Sequence, residues 1–178
     1  MLYPAPLRDL LLELAATGHF RAKWTEQIHD EWIKGLLENR RDLDPRKHAR
    51  TRELMNKAVP DCLVEGYERL VEGLTLPDPN DRHVLAAAIH SHSDAIITFN
   101  QKHFPPETAE QYDLEILHPD EFIHHQFGLN MPGVLVAARA CRQRLKNPPL
   151  DPLEYLRVLQ TQSLLRTVAE LTPYASML

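Results

Sequence analysis

Several carboxylates and one amide stand where an α/β fold would gather them, at helix starts and after a strand. Asp78 and Asp81 precede an apolar helical run, Glu31 lies early in another helix, and Asn100 follows the apolar run 95–99. In a parallel sheet, the carboxyl ends of the strands and the adjacent helix starts meet at one crevice. Oxygen donors there suit a hard divalent cation. These side chains are therefore candidate metal ligands.

Each of these residues also has an ordinary structural interpretation. Asp81 or Asn80 can be a helix N-cap, because a short polar side chain accepts a hydrogen bond from the first free backbone N–H groups. A carboxylate such as Glu31 is stabilised near a helix N-terminus by the helix dipole. Asp78 with Pro79 commonly opens a turn. From the residues alone, the structural interpretation is favoured for Glu31 and Asp81.

Apolar spacing predicts the elements that would position these residues. Leucines recur at helical spacing from Leu7 to Leu14, and Gly18 offers a stop. Thr25 can cap a second helix, which carries the early acidic residues Glu26, Asp30 and Glu31. The first two elements are therefore expected to be amphipathic helices.

The middle of the chain alternates helices with short apolar runs. A third helix is predicted from Asp44 to about Val59 and a fourth from about Asp81. The runs 95–99 and 114–117 have the length and composition of buried strands. Because helices and strands alternate, the expected fold is an α/β structure with a parallel sheet flanked by helices.

The C-terminal part has a different pattern. Gly128, Asn130 and Pro132 mark a break, and two helices are predicted beyond it, at 134–145 and 152–159. Residues 128–178 are thus expected to form a helical extension.

Composition limits the function classes. The 178 residues, 43% of them hydrophobic, suffice for one core and a small extension, and the net charge of −5 argues against a protein that coats nucleic acid through bulk positive potential. No apolar run approaches the roughly 20 residues that span a bilayer, and no leader is evident, so a cytoplasmic protein without membrane contact is expected. Cys62 and Cys141 are expected to be apolar fillers.

Other candidate motifs are weaker. The run His90-Ser91-His92-Ser93-Asp94 resembles an HxHxD zinc motif, but it falls at a helix end before a strand, where polar residues are expected anyway. The aromatic residues are better explained as core than as surfaces for base stacking: Trp24, Trp32, Phe99 and Phe104. No nucleophile elbow or catalytic triad is evident.

Three longer segments together resemble a known family. They are LYPAPLRDLLLELA (2–15), LPDPNDRHVLAAAI (76–89) and IITFNQKHFP (96–105), joined by the helix around Asp30-Glu31-Trp32. The chain resembles, over nearly its whole length, the branch of VapC-type PIN domains that carries a C-terminal helical domain. The resemblance implies a PIN-like, Rossmann-like domain at 1–127 and a helical domain at 128–178.

The resemblance also implies an activity. PIN domains of this type are endoribonucleases and toxins of bacterial toxin-antitoxin pairs, and acidic residues at the carboxyl edge of their sheet hold Mg²⁺ or Mn²⁺. By motif position Glu31 and Asp81 match two of these acids, Asn100 stands where another is common, and Asp78 is a secondary metal candidate. Implied partners are an RNA substrate, a cognate antitoxin and a second copy of the chain.

Basic residues near the expected crevice are candidates for holding RNA phosphates. They are Arg8, Arg82 and Lys102, although single basic residues at element ends more often make surface ion pairs.

The sequence departs from the family pattern twice. Where an aspartate is typical in a run like KDF, the chain has Lys102-His103-Phe104, so an imidazole stands in place of a carboxylate. The family also has a strand ending in aspartate before the segment that matches Leu2-Tyr3-Pro4, whereas this sequence begins at Met1. We therefore expect that the true gene begins upstream of Met1. We also expect that the chain that begins at Met1 cleaves RNA poorly. The alternative is a non-catalytic, degenerate PIN domain that binds protein or RNA.

Overall fold

The computed structural model describes residues 5–39 and 45–178, with the side chains of residues 39 and 45–48 left aside. The chain forms two compact units, one of residues 22–118 and one that combines the segment up to Arg21 with residues 119–178. Among the described helices, none has the length and apolar character that crossing a bilayer requires. The predicted domain boundary between residues 127 and 128 stays a prediction.

The unit of residues 22–118 is built from helices around a small parallel sheet. Strands β1 (Ala95–Ile97) and β2 (Glu115–Leu117) pair in parallel with Ile96 opposite Ile116. The described helices of this unit are α2 (Glu26–Asn39), α3 (Pro45–Ala58), α4 (Glu68–Val71), α5 (Arg82–His90) and α6 (Pro106–Glu110). The predicted α/β class with a parallel sheet is therefore confirmed.

The core of this unit lies where α5 packs beside β1. Along α5, Leu85 and three consecutive alanines, Ala86 to Ala88, are buried. The small side chains allow the helix to approach the sheet closely, and Ile96 and Phe104 complete the same cluster. The predicted apolar face of this helix is thus largely confirmed, although the side chains of Val84 and Ile89 are only partly buried. This packing fixes the position of the N-terminal end of α5 relative to the sheet.

The second unit is helical. Helix α1 (Ala5–Ala16) packs against α7 (Pro119–Arg144), and α8 (Pro152–Gln160) and α9 (Leu165–Leu171) complete it. Gly18 has a φ of +79°, the left-handed conformation in which glycine commonly ends a helix, as the sequence predicts. Asp44, the predicted start of the third helix, lies outside the described residues.

The predicted break is confirmed as a kink at Asn130 inside α7, although the helix resumes there without a loop. One prediction about the core needs correction. Phe99 was expected in the core, but 36% of it is exposed and its ring packs edge-on against His118 at 5.1 Å. The other three aromatic residues named above are buried as predicted.

Candidate metal centre

Two carboxylates and an imidazole converge at the N-terminal end of α5. One ligating atom from each of Asp78, Asp81 and His103 lies within 4.8 Å of the other two. His103 Nδ1 is 2.6 Å from Oδ2 of Asp81 and 3.8 Å from Oδ2 of Asp78. All three side chains are partly exposed. In the part of the chain that the structure describes, no second group of this kind occurs.

The turn before α5 directs the two aspartates differently. The segment Pro79–Asp81 forms one 3-10 turn, and the backbone N–H of Asn80 donates to Oδ1 of Asp78 at 2.9 Å. Asp81 occupies the N-cap position of α5, but its side chain accepts no hydrogen bond from that helix. The structural interpretation of Asp81 as a capping side chain is therefore wrong. Its carboxylate is turned towards His103 instead.

His103 is held by a short turn that follows β1. The backbone N–H of Asn100 donates to Oγ1 of Thr98 at 3.0 Å, and the N–H of His103 donates to the carbonyl of Asn100 at 2.9 Å. The amide of Gln101 donates to the carbonyl of Ile116 in β2 at 3.0 Å. Asn100 thus opens the turn that presents the imidazole, while its role as a ligand stays a prediction.

Glu31 lies outside the three-donor group but reaches the same helix. Its Oε1 is 2.8 Å from Nε2 of His83, which is only 3% exposed and lies two residues after Asp81 on α5. The two atoms are at ion-pair distance, but the ring N–H does not align as a hydrogen bond, and Nδ1 of His83 has no hydrogen-bond partner among the described residues. Asp30, the neighbouring acid, turns instead towards Arg52 of α3 at 2.9 Å.

A buried polar network anchors the helix that carries Glu31. Thr25 caps α2 by accepting from the N–H of Ile28 at 3.1 Å, as predicted. Trp32 Nε1 donates to Nδ1 of His29 at 2.9 Å, so Nε2 carries the proton and donates to Oδ1 of Asn56 at 2.8 Å. Burial lowers the pKa of His29 below its ordinary value, which favours this neutral form. The first turns of α2 are therefore rigidly placed.

The basic residues proposed for RNA phosphates have different surroundings. Nε of Arg82 donates to the carbonyl of Pro79 at 3.0 Å, within the turn before α5. Lys102 is exposed on the turn that carries His103. Arg8 belongs to the other compact unit, where it pairs with Asp9 at 3.1 Å. Their role in binding RNA stays a prediction.

His103 was recognised in the sequence as a replaced acid but not counted as a ligand, and His83 was missed altogether. The signal for His103 was its position in the run Lys102-His103-Phe104. For His83, a signal was a lone imidazole on the otherwise apolar face of α5, two residues after a candidate ligand. A polar ring buried on such a face needs a partner, and here Glu31 lies at ion-pair distance.

The donor set fits a divalent cation. Carboxylate oxygens are preferred by Mg²⁺ and Mn²⁺, and a neutral imidazole is a ligand for transition ions. The partial exposure of the three side chains leaves them open to solvent, which suits an ion that also keeps water ligands. The arrangement can therefore hold a cation and an activated water.

Comparison with known proteins identifies the family. A model of the PIN domain matches residues 1–102, more than half of the chain. The chain belongs to the PIN-domain family. A second model, the VapC50 C-terminal domain, matches residues 119–173 and so begins where the compact helical unit resumes. The chain is thus a VapC-type PIN protein with a C-terminal domain.

One curated relative matches part of the chain. "Putative ribonuclease VapC50" of Mycobacterium tuberculosis is 33% identical over 97 residues, which is 54% of this chain and 57% of that relative. The match thus spans little more than half of the relative's length. No solved structure matches the chain significantly.

Proposed function

We propose that this PIN protein is a divalent-metal-dependent endoribonuclease and the toxin of a bacterial toxin-antitoxin pair. The observation that carries the proposal is the convergence of Asp78, Asp81 and His103 at the start of α5. Both aspartates lie inside the region that matches the PIN domain, and His103 directly follows it. The name of the relative supports ribonuclease as the activity. A cytoplasmic location follows from an RNA substrate in a bacterial cell.

The roles of the protein's own residues follow from their positions. Asp78 and Asp81 would hold the ion through carboxylate oxygens, and His103 would hold it through Nδ1. Glu31, whose first oxygen lies 2.8 Å from His83, would bind a metal-bound water through its second oxygen. When bound, a divalent ion supplies an activated water and neutralises charge that develops on the scissile phosphate.

RNA would bind at the site as a single strand. Lys102 stands on the same turn as His103, so its ammonium can contact a phosphate next to the one that is cleaved. Such a contact adds affinity without base specificity. An antitoxin that covers these partly exposed carboxylates would block the binding of both metal and RNA. A homodimer, in which two PIN domains pair, is a further proposed partner interaction.

Cleavage of labelled single-stranded RNA by the 178-residue protein tests the proposal. Wild type, Asp81→Asn and the control Asp94→Asn are compared with Mn²⁺, with Mg²⁺ and with a chelator. Asp94 is an exposed carboxylate just before β1 and lies outside the three-donor group. We expect metal-dependent cleavage that Asp81→Asn lowers by about a hundredfold and that Asp94→Asn leaves unchanged.

Three results would overturn the proposal. Cleavage that persists in chelator would remove the metal from the mechanism. Equal activity in Asp81→Asn and wild type would remove the site. RNA that is bound in a gel-shift assay but stays intact with every cation would favour the alternative, a non-catalytic PIN domain that acts as a binding module.

A further inference from the structure

The imidazole in the three-donor group carries information about which ion the site prefers. In the PIN pattern that the sequence resembles, the position of His103 is an aspartate, so the expected ligand set is made of oxygen donors alone. Here Nδ1 of His103 faces both carboxylates, at 2.6 Å from Asp81 and 3.8 Å from Asp78. A nitrogen donor therefore stands where a third carboxylate would be.

We infer that this site takes a first-row transition ion such as Mn²⁺ in preference to Mg²⁺, because His103 supplies a nitrogen ligand. The inference rests on the proposed metal-dependent function and specifies its ion. Mg²⁺ binds oxygen donors almost exclusively and needs negative charge to offset its dehydration. Imidazole suits Fe²⁺ and later ions of the row best, and Mn²⁺, although it prefers oxygen ligands, accepts a nitrogen more readily than Mg²⁺ does.

The separations of the donors are compatible with one shared ion. Donors at right angles around an ion with bonds of about 2.1 Å lie about 3 Å apart. The two distances from Nδ1 of His103 to the carboxylates fall on either side of that value. The two distances would become equal if the carboxylate of Asp81 moved slightly away from Nδ1 and the carboxylate of Asp78 moved slightly towards it. All three side chains are partly exposed, so such shifts meet little packing resistance.

Charge strengthens the difference between the two ions. Replacing a carboxylate by a neutral imidazole removes one negative charge from the ligand set, which weakens binding of every divalent cation through the electrostatic part of its affinity. Only a transition ion recovers part of this loss through its bond to nitrogen. The ratio of the two affinities should therefore depend on residue 103, whatever the absolute affinity is.

The test measures binding rather than cleavage. Dissociation constants for Mn²⁺ and Mg²⁺ are determined by titration calorimetry on the metal-free 178-residue protein, for wild type, His103→Asp and His103→Gln. His125→Asp, at an exposed imidazole on α7, makes the same chemical change outside the group. In parallel, electron spin echo spectroscopy of bound Mn²⁺ reports whether a nitrogen is coordinated.

We expect His103→Asp to lower the preference for Mn²⁺ over Mg²⁺ by at least about tenfold, chiefly by tightening Mg²⁺. The nitrogen coupling should be present in wild type and in His125→Asp and absent in both variants of His103. His103→Gln should weaken Mn²⁺ more than Mg²⁺, and it replaces His103→Asp as the deciding variant if the latter does not fold.

The outcomes separate the two proposals. An unchanged affinity ratio, or Mn²⁺ without nitrogen coupling in wild type, would overturn the role of His103 while leaving a metal-dependent nuclease intact. If neither wild type nor His103→Asp binds any divalent cation, the proposed function itself fails. Nitrogen coupling that survives in both variants of residue 103 would place the ion at a different histidine and would also overturn the inference.

Discussion

His103 and Asp81 lie 22 positions apart in the sequence, yet Nδ1 of one is 2.6 Å from Oδ2 of the other. The contact joins the turn after β1 to the N-terminal end of α5. It also takes the carboxylate of Asp81 away from the amides of its own helix, which a residue at the N-cap position would ordinarily bind. The capping role is filled one turn earlier by Asp78, within the 3-10 turn.

The two roles of Asp78 can be separated by substitution. Asp78→Ala removes both the acceptor for the N–H of Asn80 and a candidate metal ligand, and it should lower the free energy of unfolding by about 1 kcal/mol. Asp78→Ser keeps an acceptor of similar reach but loses the carboxylate. We therefore expect nearly wild-type stability but the same loss of Mn²⁺ affinity as in Asp78→Ala, measured by urea unfolding without metal and by calorimetry.

Asp94→Ser is the control for removal of an exposed carboxylate outside the group. Wild-type Mn²⁺ affinity in Asp78→Ser would show that Asp78 is a turn residue and not a ligand. Equal destabilisation by serine and alanine would show that the hydrogen bond to Asn80 contributes little.

His83 should matter for metal binding more than for stability. Its ring is buried, has no aligned hydrogen bond among the described residues, and lies 2.8 Å from Glu31. Replacing a buried, unsatisfied polar ring with an apolar side chain is often neutral or stabilising. His83→Leu should therefore leave the unfolding free energy of the metal-free protein unchanged or higher. It should weaken Mn²⁺ by about tenfold, because Glu31 loses the group that orients it.

His90→Leu, at the exposed end of the same helix, provides the matched control. If His83 had only a structural role, His83→Leu would instead lower the stability and leave the Mn²⁺ affinity unchanged. His83→Gln retains a donor that can reach Glu31 and should recover part of the affinity.

Local signals predicted the secondary structure well where a capping residue or a break was explicit. Thr25 caps α2, and Gly18 ends α1 as expected. The break at Asn130 was also predicted, but its consequence was not. Oδ1 of Asn130 accepts from the N–H of Gly133 at 3.1 Å, so the second part of α7 is capped at once and needs no loop. Pro132 is tolerated there because a first-turn N–H has no helical partner.

The contacts of the candidate site could not be predicted from the sequence. Sequence resemblance selected Asp81 and Glu31, whereas spacing alone favoured a cap and a solvated surface residue. The prediction of Asp81 as a capping side chain was wrong because its carboxylate contacts His103 instead of the backbone N–H groups of α5. His103 is distant in the sequence, and no local pattern reveals such a contact. The same holds for His83, whose pairing with Glu31 depends on how α2 and α5 are packed.

Both thiols should be unreactive in the folded protein. Burial raises the pKa of Cys141 to about 12 and also raises the pKa of Cys62. The thiolate is the reactive form, so at about pH 8 only about one Cys141 in ten thousand is ionised. Iodoacetamide followed by mass spectrometry should label neither cysteine in buffer and both in urea. Rapid labelling of Cys141 in the Cys62→Ser variant without denaturant would contradict its burial.

Asp120 should be a main determinant of stability in the helical unit. Its buried carboxylate accepts three hydrogen bonds of 2.8 Å, from the N–H groups of Arg166 and Thr167 and from Oγ1 of Thr167. Leu164, at the N-cap position of α9, offers no capping side chain, so Asp120 takes that role from a distant part of the chain. Removing it leaves three buried or partly buried donors unsatisfied.

Asp120→Ala should therefore lower the free energy of unfolding by about 3 kcal/mol, because each unsatisfied buried group costs about 1 kcal/mol or more. Asp120→Asn keeps one oxygen acceptor and should lose less than half as much. Glu121→Gln, which alters the next charge along α7, should be nearly neutral. The measurement is urea unfolding followed by far-UV circular dichroism. An unfolding midpoint of Asp120→Ala within error of Glu121→Gln would mean that α9 is held by its apolar contacts with α7 and α8 alone.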